Sequence, residues 1–426
     1  IDIELPPIVR FERQGGGKEA IEKAAKLLSN AKFPVILSGA GVVIGDAIDD
    51  CKKIAEKLDA PVCNGYQHND SFPGSHPLAV GPLGYNGSKA AMELISKADV
   101  VLALGTRLNP FSTLPGYGID YWPKNASIIQ VDMNPDRIGL TKKVSVGICG
   151  DAKMVSQQIF EKLSSDAGDF GREDRKNLIH KTKSAWLQTL TSLDHEEDDP
   201  GTVWNKEARE RDKDRMSPRK AWRAIQAGMP QDAIISSDIG NNCAIGNAYP
   251  TFEEARKYLA PGLFGPCGYG FPSILGAKIG CPDTPVIGFA GDGAFGISMN
   301  EMSSCAREEW PAITMVIFRN YQWGAEKRNS ILWFDDNFVG TELDPELSYA
   351  KLANACGLKG VAVKTMEETT AAIKQSCEDQ KKGITTFIEI ILNQELGEPF
   401  RRDAMKKPVE VAGINKMDMK PQKSLI

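Results

Sequence analysis

The chain has 426 residues, 25% of them charged, and a formal net charge of only −5. That balance, with no lysine or arginine run, speaks against a nucleic-acid surface, and the longest apolar runs, such as "VVLALG" and "TTFIEII", are strand-length and far short of a bilayer span. Nine cysteines without a C-x-x-C pair fit free thiols in a reducing cytosol, and the four histidines lie far from any cysteine pair at zinc-ligand spacing.

The length exceeds what one ordinary core accommodates, so two domains are expected. Residues 1–17, "IDIELPPIVRFERQGGG", read as a linker from a preceding domain: Pro-Pro and Gly-Gly-Gly interrupt any regular element, and the chain opens without Met. From 18 to 150 helix and strand alternate. "KEAIEKAAKLLSNA" has helical periodicity, "FPVILSGAGV" is a buried strand running into glycines, and "IDDCKKIAEKLDA" is helical again. "ADVVLALGTRLN" and "ASIIQVDMNP" supply two more buried strands. Strands of continuous apolar character separated by helices predict a parallel sheet covered on both faces. Residues 151–215 are charge-dense apart from Trp186 and its neighbours, and read as a connector, partly helical and largely solvated.

A second α/β unit, residues 216–395, starts at "MSPRKAWRAIQAG", where Ser217 suits the helix cap and Pro218 its first position. "DAIISSDIGNN" is its first strand, "GYGFPSILGAKIG" a small-residue helix, and "TPVIGFAGDGAFG", "AITMVIFRN" and "TTFIEIIL" further strands. The expected fold class is therefore α/β with two doubly wound parallel sheets, followed by a tail, 396–426. The glycines of "SGAGVVIG" match no full G-x-G-x-x-G and read as a strand-to-helix turn.

In doubly wound sheets ligands gather beyond the carboxyl ends of the strands. "GDGAFG" lies at such an end. Gly291 and Gly293 permit close backbone approach, and the amides opening the next helix suit an anionic phosphate. Asp292 beside a phosphate would be repulsive unless a cation intervened; Asn320, ending the next strand, and the carbonyl of Gln322 would complete the oxygen shell that Mg²⁺ takes.

This stretch, G-D-G followed after a strand-helix-strand spacer by Asn, resembles the motif of the thiamine diphosphate enzymes, the superfamily of acetolactate synthase, pyruvate oxidase and the related decarboxylases. The resemblance implies Asp292, Asn320 and the Gln322 carbonyl as Mg²⁺ ligands, with Gly291, Gly293 and Ala294 beside the cofactor. "SDIGNN" resembles the diphosphate loop, which implicates Gly240, Asn241 and Asn242. "FGPCGYGFP" resembles the loop that holds the aminopyrimidine: the Gly265 carbonyl would accept from its amino group, and Cys267 stands where the family often has Met or another large apolar residue. The family has three α/β domains, and the chain resembles the second and third, so the domain carrying the cofactor-activating glutamate is expected to be missing from it.

Within the superfamily, "YQHNDSFPGSHPLAVGPLGYNGS", "LGTRLNPFSTLPGYGIDYWP", "FRNYQWGAEKRN" and "QELGEPFRRDAMKKPVEVAGI" resemble the sulfoacetaldehyde acetyltransferase family. That implies thiamine diphosphate and Mg²⁺ as cofactors, sulfoacetaldehyde and phosphate as substrates, acetyl phosphate and sulfite as products of a sulfonate catabolic step, a homodimer or homotetramer, and the cytoplasm. Two anions need cationic or amide donors. By loop position the candidates are Arg107, Lys327 and Arg328, with Arg401 and Arg402 of the tail as phosphate contacts, and His68 and His76 within reach of substrate. An acetolactate synthase-like carboligase or decarboxylase, and a noncatalytic cofactor-binding subunit, stay open as alternatives.

Overall fold

The computed structural model describes residues 12–84, 86–116, 118–195, 210, 212–262, 264–334 and 337–394. Two sheets, each of six parallel strands, organise them. The first contains β1 (Pro34–Ser38), β2 (Val62–Asn64), β3 (Ala79–Pro82), β4 (Val100–Leu104), β5 (Ser127–Asp132) and β6 (Val146–Cys149), in the order β3-β2-β1-β4-β5-β6. The second contains β7 (Ile234–Ser237), β8 (Tyr258–Leu259), β9 (Val286–Gly291), β10 (Thr314–Arg319), β11 (Lys359–Val363) and β12 (Thr386–Ile391), in the order β11-β12-β10-β9-β7-β8. Every residue of β1, β4 and β10 is buried, because helices cover both faces of each sheet.

The expected helices form over Lys18–Ser29, Ile48–Leu58, Pro218–Gly228 and Gly270–Gly280. The Ser217 hydroxyl accepts from the Lys220 amide at 3.4 Å, as its position ahead of Pro218 predicts. "SGAGVVIG" turns from β1 into a short helix, Ala40–Ile44.

The region expected as a connector is more integrated than its charge density suggests. Helix Ala152–Lys162 packs against Lys18–Ser29 and Ile48–Leu58, within the layers of the first sheet. The next helix, Arg172–His195, belongs to both halves. At one end, Arg175 is 2% exposed and donates to five main-chain carbonyls, those of Lys32, Leu58, Asp59, Gly168 and Phe170. Further along, Trp186 and Leu190 enter the apolar core of the second sheet. A periodic apolar face hidden among charges is what a strap helix requires.

Residues 69–75 make the other junction. The Asn69 side-chain amide donates to the carbonyls of Asn247 and Pro250 at 2.9 and 3.0 Å, and Asp70 accepts from the amides of Lys257 and Tyr258. The Ser75 hydroxyl donates to Glu253 at 2.7 Å. Among the described residues no helix is long and apolar enough to cross a membrane.

Candidate active site

Strands β10, β9 and β7 are neighbours, so the loops leaving their carboxyl ends lie side by side. One cavity opens there, walled by Gly240–Asn242 after β7, Gly291–Ala294 after β9, and Asn320, Gln322 and Trp323 after β10, with Cys267 from a fourth segment. Ten of the residues singled out from sequence, distant along the chain, thus share one wall: Gly240, Asn241, Asn242, Cys267, Gly291, Asp292, Gly293, Ala294, Asn320 and Gln322. Gly265 lines the adjoining cavity with Ile239, Gly240 and Arg328, at φ +65°, a conformation that favours glycine.

Each loop is held by packing below it. Trp222, from helix Pro218–Gly228, lies under the diphosphate-type loop: its ring is 4.8 Å from that of Phe289 and 5.3 Å from that of Phe318, and its Nε1–H donates to the Asn242 carbonyl at 2.6 Å. Gly240 at φ +124° lets the chain turn from β7 into helix Asn241–Ile245. Asp238, one residue beyond β7, accepts from the amides of Ile239, Gly268 and Gly270 at 2.8, 3.1 and 2.7 Å and so ties the β7 loop to the segment containing Gly265 and Cys267. Burial raises the Asp238 carboxyl above its ordinary value, while these amides oppose the shift.

Asp292 is buried, and its two oxygens differ. Oδ2 accepts from Arg319 Nη1 at 3.0 Å and from the Tyr321 amide at 2.6 Å; among the described residues Oδ1 accepts only from the Gly293 amide, at 3.0 Å. Burial pushes this carboxyl up to about 6, against the pull of Arg319 and the two amides. Tyr321 sits at φ +63°, which for a bulky residue is strained, and this is what swings the chain from Asn320 to Gln322. The antiparallel bridge of Gln322 with Glu342 uses the Trp323 amide and the Tyr321 carbonyl, so the Gln322 carbonyl stands outside the ladder. Burial also raises the Cys267 thiol, with Asp238 and Glu326 adding to the shift, so it presents a neutral, weakly polar surface.

The cavity tests well against a diphosphate and a cation. Buried polar atoms are normally paired, yet Nδ2 and Oδ1 of Asn241, Oδ1 of Asn242 and Oε1 of Gln322 have no hydrogen-bond partner among the described residues. Among the described residues, a Cβ added at Gly291 or Gly240 would meet no atom within 4 Å beyond its own chain neighbours, which leaves space beside both glycines. Neutral oxygens, one carboxylate and free amide donors are the set that a hard dication with its phosphate ligand requires.

Two family models match the chain: the central domain of thiamine pyrophosphate enzymes over residues 21–159, and their C-terminal TPP binding domain over residues 238–390. A probable sulfoacetaldehyde acetyltransferase of Rhizobium meliloti (strain 1021) is 75% identical over 425 residues, 100% of this chain and 72% of the relative. The chain belongs to the sulfoacetaldehyde acetyltransferase family of thiamine diphosphate enzymes. The sulfoacetaldehyde acetyltransferase of Roseovarius nubinhibens is 73% identical over 99% of this chain and 70% of its own length. More distant is a probable acetolactate synthase large subunit of Methanococcus aeolicus, 29% identical over 85% of this chain and 59% of its own. The chain is accordingly an acyltransferase that uses thiamine diphosphate and acts on small molecules.

The remaining candidates divide by place. His68 lines a different cavity, of about 680 Å³, beyond the carboxyl ends of β1, β4 and β5, together with Arg107 and Arg137. Burial and the Arg107 charge lower it to about 4, which keeps the imidazole neutral. Arg107 therefore stands with His68 and not with Asp292. His76 pairs with Glu56, its Nε2 3.2 Å from the carboxylate. Lys327 is buried and engaged with Glu342 and Gln394. Arg328 is the described cationic candidate that lines the cavity next to Gly265, across from Tyr66 and Gln67 of the first domain. Arg401 and Arg402 lie outside the described residues. Asp238, Trp222 and Arg319 acquire their positions only through folding; of these, Asp238 was open to detection within "SDIGNN", since an acid at a strand end commonly ties a loop.

Proposed function

We propose that the chain, with thiamine diphosphate and Mg²⁺, converts sulfoacetaldehyde and phosphate to acetyl phosphate and sulfite in sulfonate breakdown, as a cytoplasmic homodimer or homotetramer. The observation that carries this reading is the single cavity in which Asp292, Asn320 and Gln322 meet unpartnered Asn241 and Asn242. The reaction balances without an outside oxidant: the C–S bond breaks, an acyl–phosphate bond forms, the aldehyde carbon rises to the acyl level and the methylene carbon falls to methyl.

On this reading residues 18–150 form the central domain and residues 216–395 hold the cofactor. Asp292, the Asn320 side chain and the Gln322 carbonyl hold the cation. Asn241 and Asn242, with the backbone of Gly240, Gly291, Gly293 and Ala294, receive the diphosphate, and the Gly265 carbonyl and Cys267 contact the rings. When bound, thiamine diphosphate supplies the electron sink that the C–S cleavage needs. The protein's part is to orient, to neutralise the phosphates and to exclude water. Arg328 lines the cavity beside Gly265 and is the cation assigned on this reading to an anionic group of a substrate.

The test is sulfite release from sulfoacetaldehyde by the purified protein with thiamine diphosphate and Mg²⁺, with and without phosphate, against pyruvate as the rival donor. Phosphate-dependent sulfite and acetyl phosphate are expected. Acetolactate from pyruvate without sulfite release from sulfoacetaldehyde would overturn the assignment in favour of a carboligase.

A further inference from the structure

Behind Asp292 lies a fully buried charge cluster that the cavity itself does not require. Arg319, the last residue of β10, is 0% exposed, and Asp292 and Glu389 beside it are 1% and 2% exposed. Successive strand residues point to opposite sides, so Arg319 faces away from the side to which Asn320 contributes the cavity wall. Its Nη1 donates to Asp292 Oδ2 at 3.0 Å, its Nη2 to the carbonyls of Asp344 and Leu347, and its Nε lies 3.6 Å from Glu389. The guanidinium stacks on Tyr321 at 4.1 Å and faces Tyr349 at 5.4 Å, while the Tyr349 hydroxyl donates to the Asp292 carbonyl at 2.9 Å. Glu389 is itself fixed, its Oε2 accepting from the Ser348 hydroxyl and the Ala350 amide. A planar fork held at this many points has no freedom to turn.

We infer that Arg319 is a positioning residue for the cation: by holding Oδ2 of Asp292 it makes the carboxylate offer a single oxygen, and so selects a small octahedral cation over a larger one. Mg²⁺ demands near-ideal octahedral geometry, whereas Ca²⁺ takes more oxygens and readily accepts both of one carboxylate. A carboxylate free to rotate would serve Ca²⁺ in the two-oxygen mode; one with Oδ2 committed to Arg319 and the Tyr321 amide would not. The charges agree. Asp292, Glu389 and Arg319 sum to one negative charge, which a dication can offset where an unpaired buried charge would be costly.

The inference rests on Asp292 as a cation ligand, and the experiment separates the two claims. Mg²⁺ and Ca²⁺ are titrated separately into the purified protein with thiamine diphosphate, with cation-dependent cofactor binding followed by tryptophan emission. The proteins compared are wild type, Asp292→Asn, Arg319→Gln, Arg319→Lys and Glu389→Gln. Loss of a group that orients a ligand commonly costs about 10–100-fold in metal affinity. Arg319→Gln is expected to lose that much for Mg²⁺ while Ca²⁺ affinity stays nearly unchanged, so the Mg²⁺/Ca²⁺ preference falls about 10–100-fold. Glu389→Gln, which leaves the Arg319–Asp292 contact, keeps the wild-type preference. If Arg319→Gln does not fold, Arg319→Lys decides, since lysine keeps the charge without the fork. Unchanged cation affinity in Asp292→Asn would overturn the ligand assignment itself. Loss there, with the wild-type Mg²⁺/Ca²⁺ ratio in the Arg319 variant or an equal fall in Glu389→Gln, would overturn this inference alone.

Discussion

Gly291→Ala separates the demands of the fold from those of the cavity's occupant. Gly291 has φ −67° and ψ 158°, ordinary for alanine, and among the described residues a Cβ there meets no atom within 4 Å beyond its chain neighbours. Folding therefore gains rather than loses: replacing glycine at a compatible backbone position stabilises by about 0.4–1 kcal/mol through the unfolded chain. The added methyl points into space that the proposed diphosphate fills, and overpacking a filled site costs about 1–3 kcal/mol. That cost converts to a rise of about 5- to 150-fold in the cofactor dissociation constant. The assay is a pair of measurements on the same protein: the thermal midpoint without cofactor, and a thiamine diphosphate titration at saturating Mg²⁺. A slightly raised midpoint with weakened cofactor binding is expected. Unchanged cofactor affinity would refute the placement of the diphosphate against Gly291, and a lowered midpoint would refute the claim that the space is empty of protein.

Gly293→Ala is the counterpart: its Cβ would lie 2.8–2.9 Å from the Trp323 ring, so the variant loses about 1–3 kcal/mol of stability as well as cofactor affinity, and Trp323→Leu in the same chain restores the midpoint. His68, lowered to about 4 by burial and by Arg107, must take up a proton in the unfolded chain before it does in the folded one. Its contribution is thus present above about pH 6.5 and lost as pH falls toward 4, up to about 2 kcal/mol by pH 5. His68→Asn is expected to flatten the fall in urea midpoint between pH 7.5 and 5, and an identical slope would refute it. Arg175→Ala removes donors to five carbonyls and costs at least about 3 kcal/mol; a change in denaturant midpoint worth less than about 1 kcal/mol would mean that the strap helix is held by Trp186 and Leu190 alone.

The strands legible in the sequence were β1, β4 and β5 of the first sheet and β7, β9, β10 and β12 of the second, and they form the sheet centres. A central strand is covered on both faces, so it must be apolar at nearly every position, and that run is visible in one dimension. The strands not anticipated, β2, β3, β6, β8 and β11, flank those centres. They are short or, like β6 with its alternating burial and β11 with its partly exposed residues, carry no continuous run, and only pairing with a neighbour makes them strands. The same division holds at the cavity. Gly240, Asn241, Gly291, Asp292 and Asn320 stood out because the end of a buried strand is a place the sequence marks, and parallel topology sends such ends to one edge. What the sequence by itself determined was the set of loops that would meet. Which face each side chain turns to was decided by tertiary structure: His68 and Arg107 were sent to another cavity, Lys327 was consumed by Glu342, and Arg319 was fixed behind Asp292, because contacts between residues far apart in the chain leave no local signature.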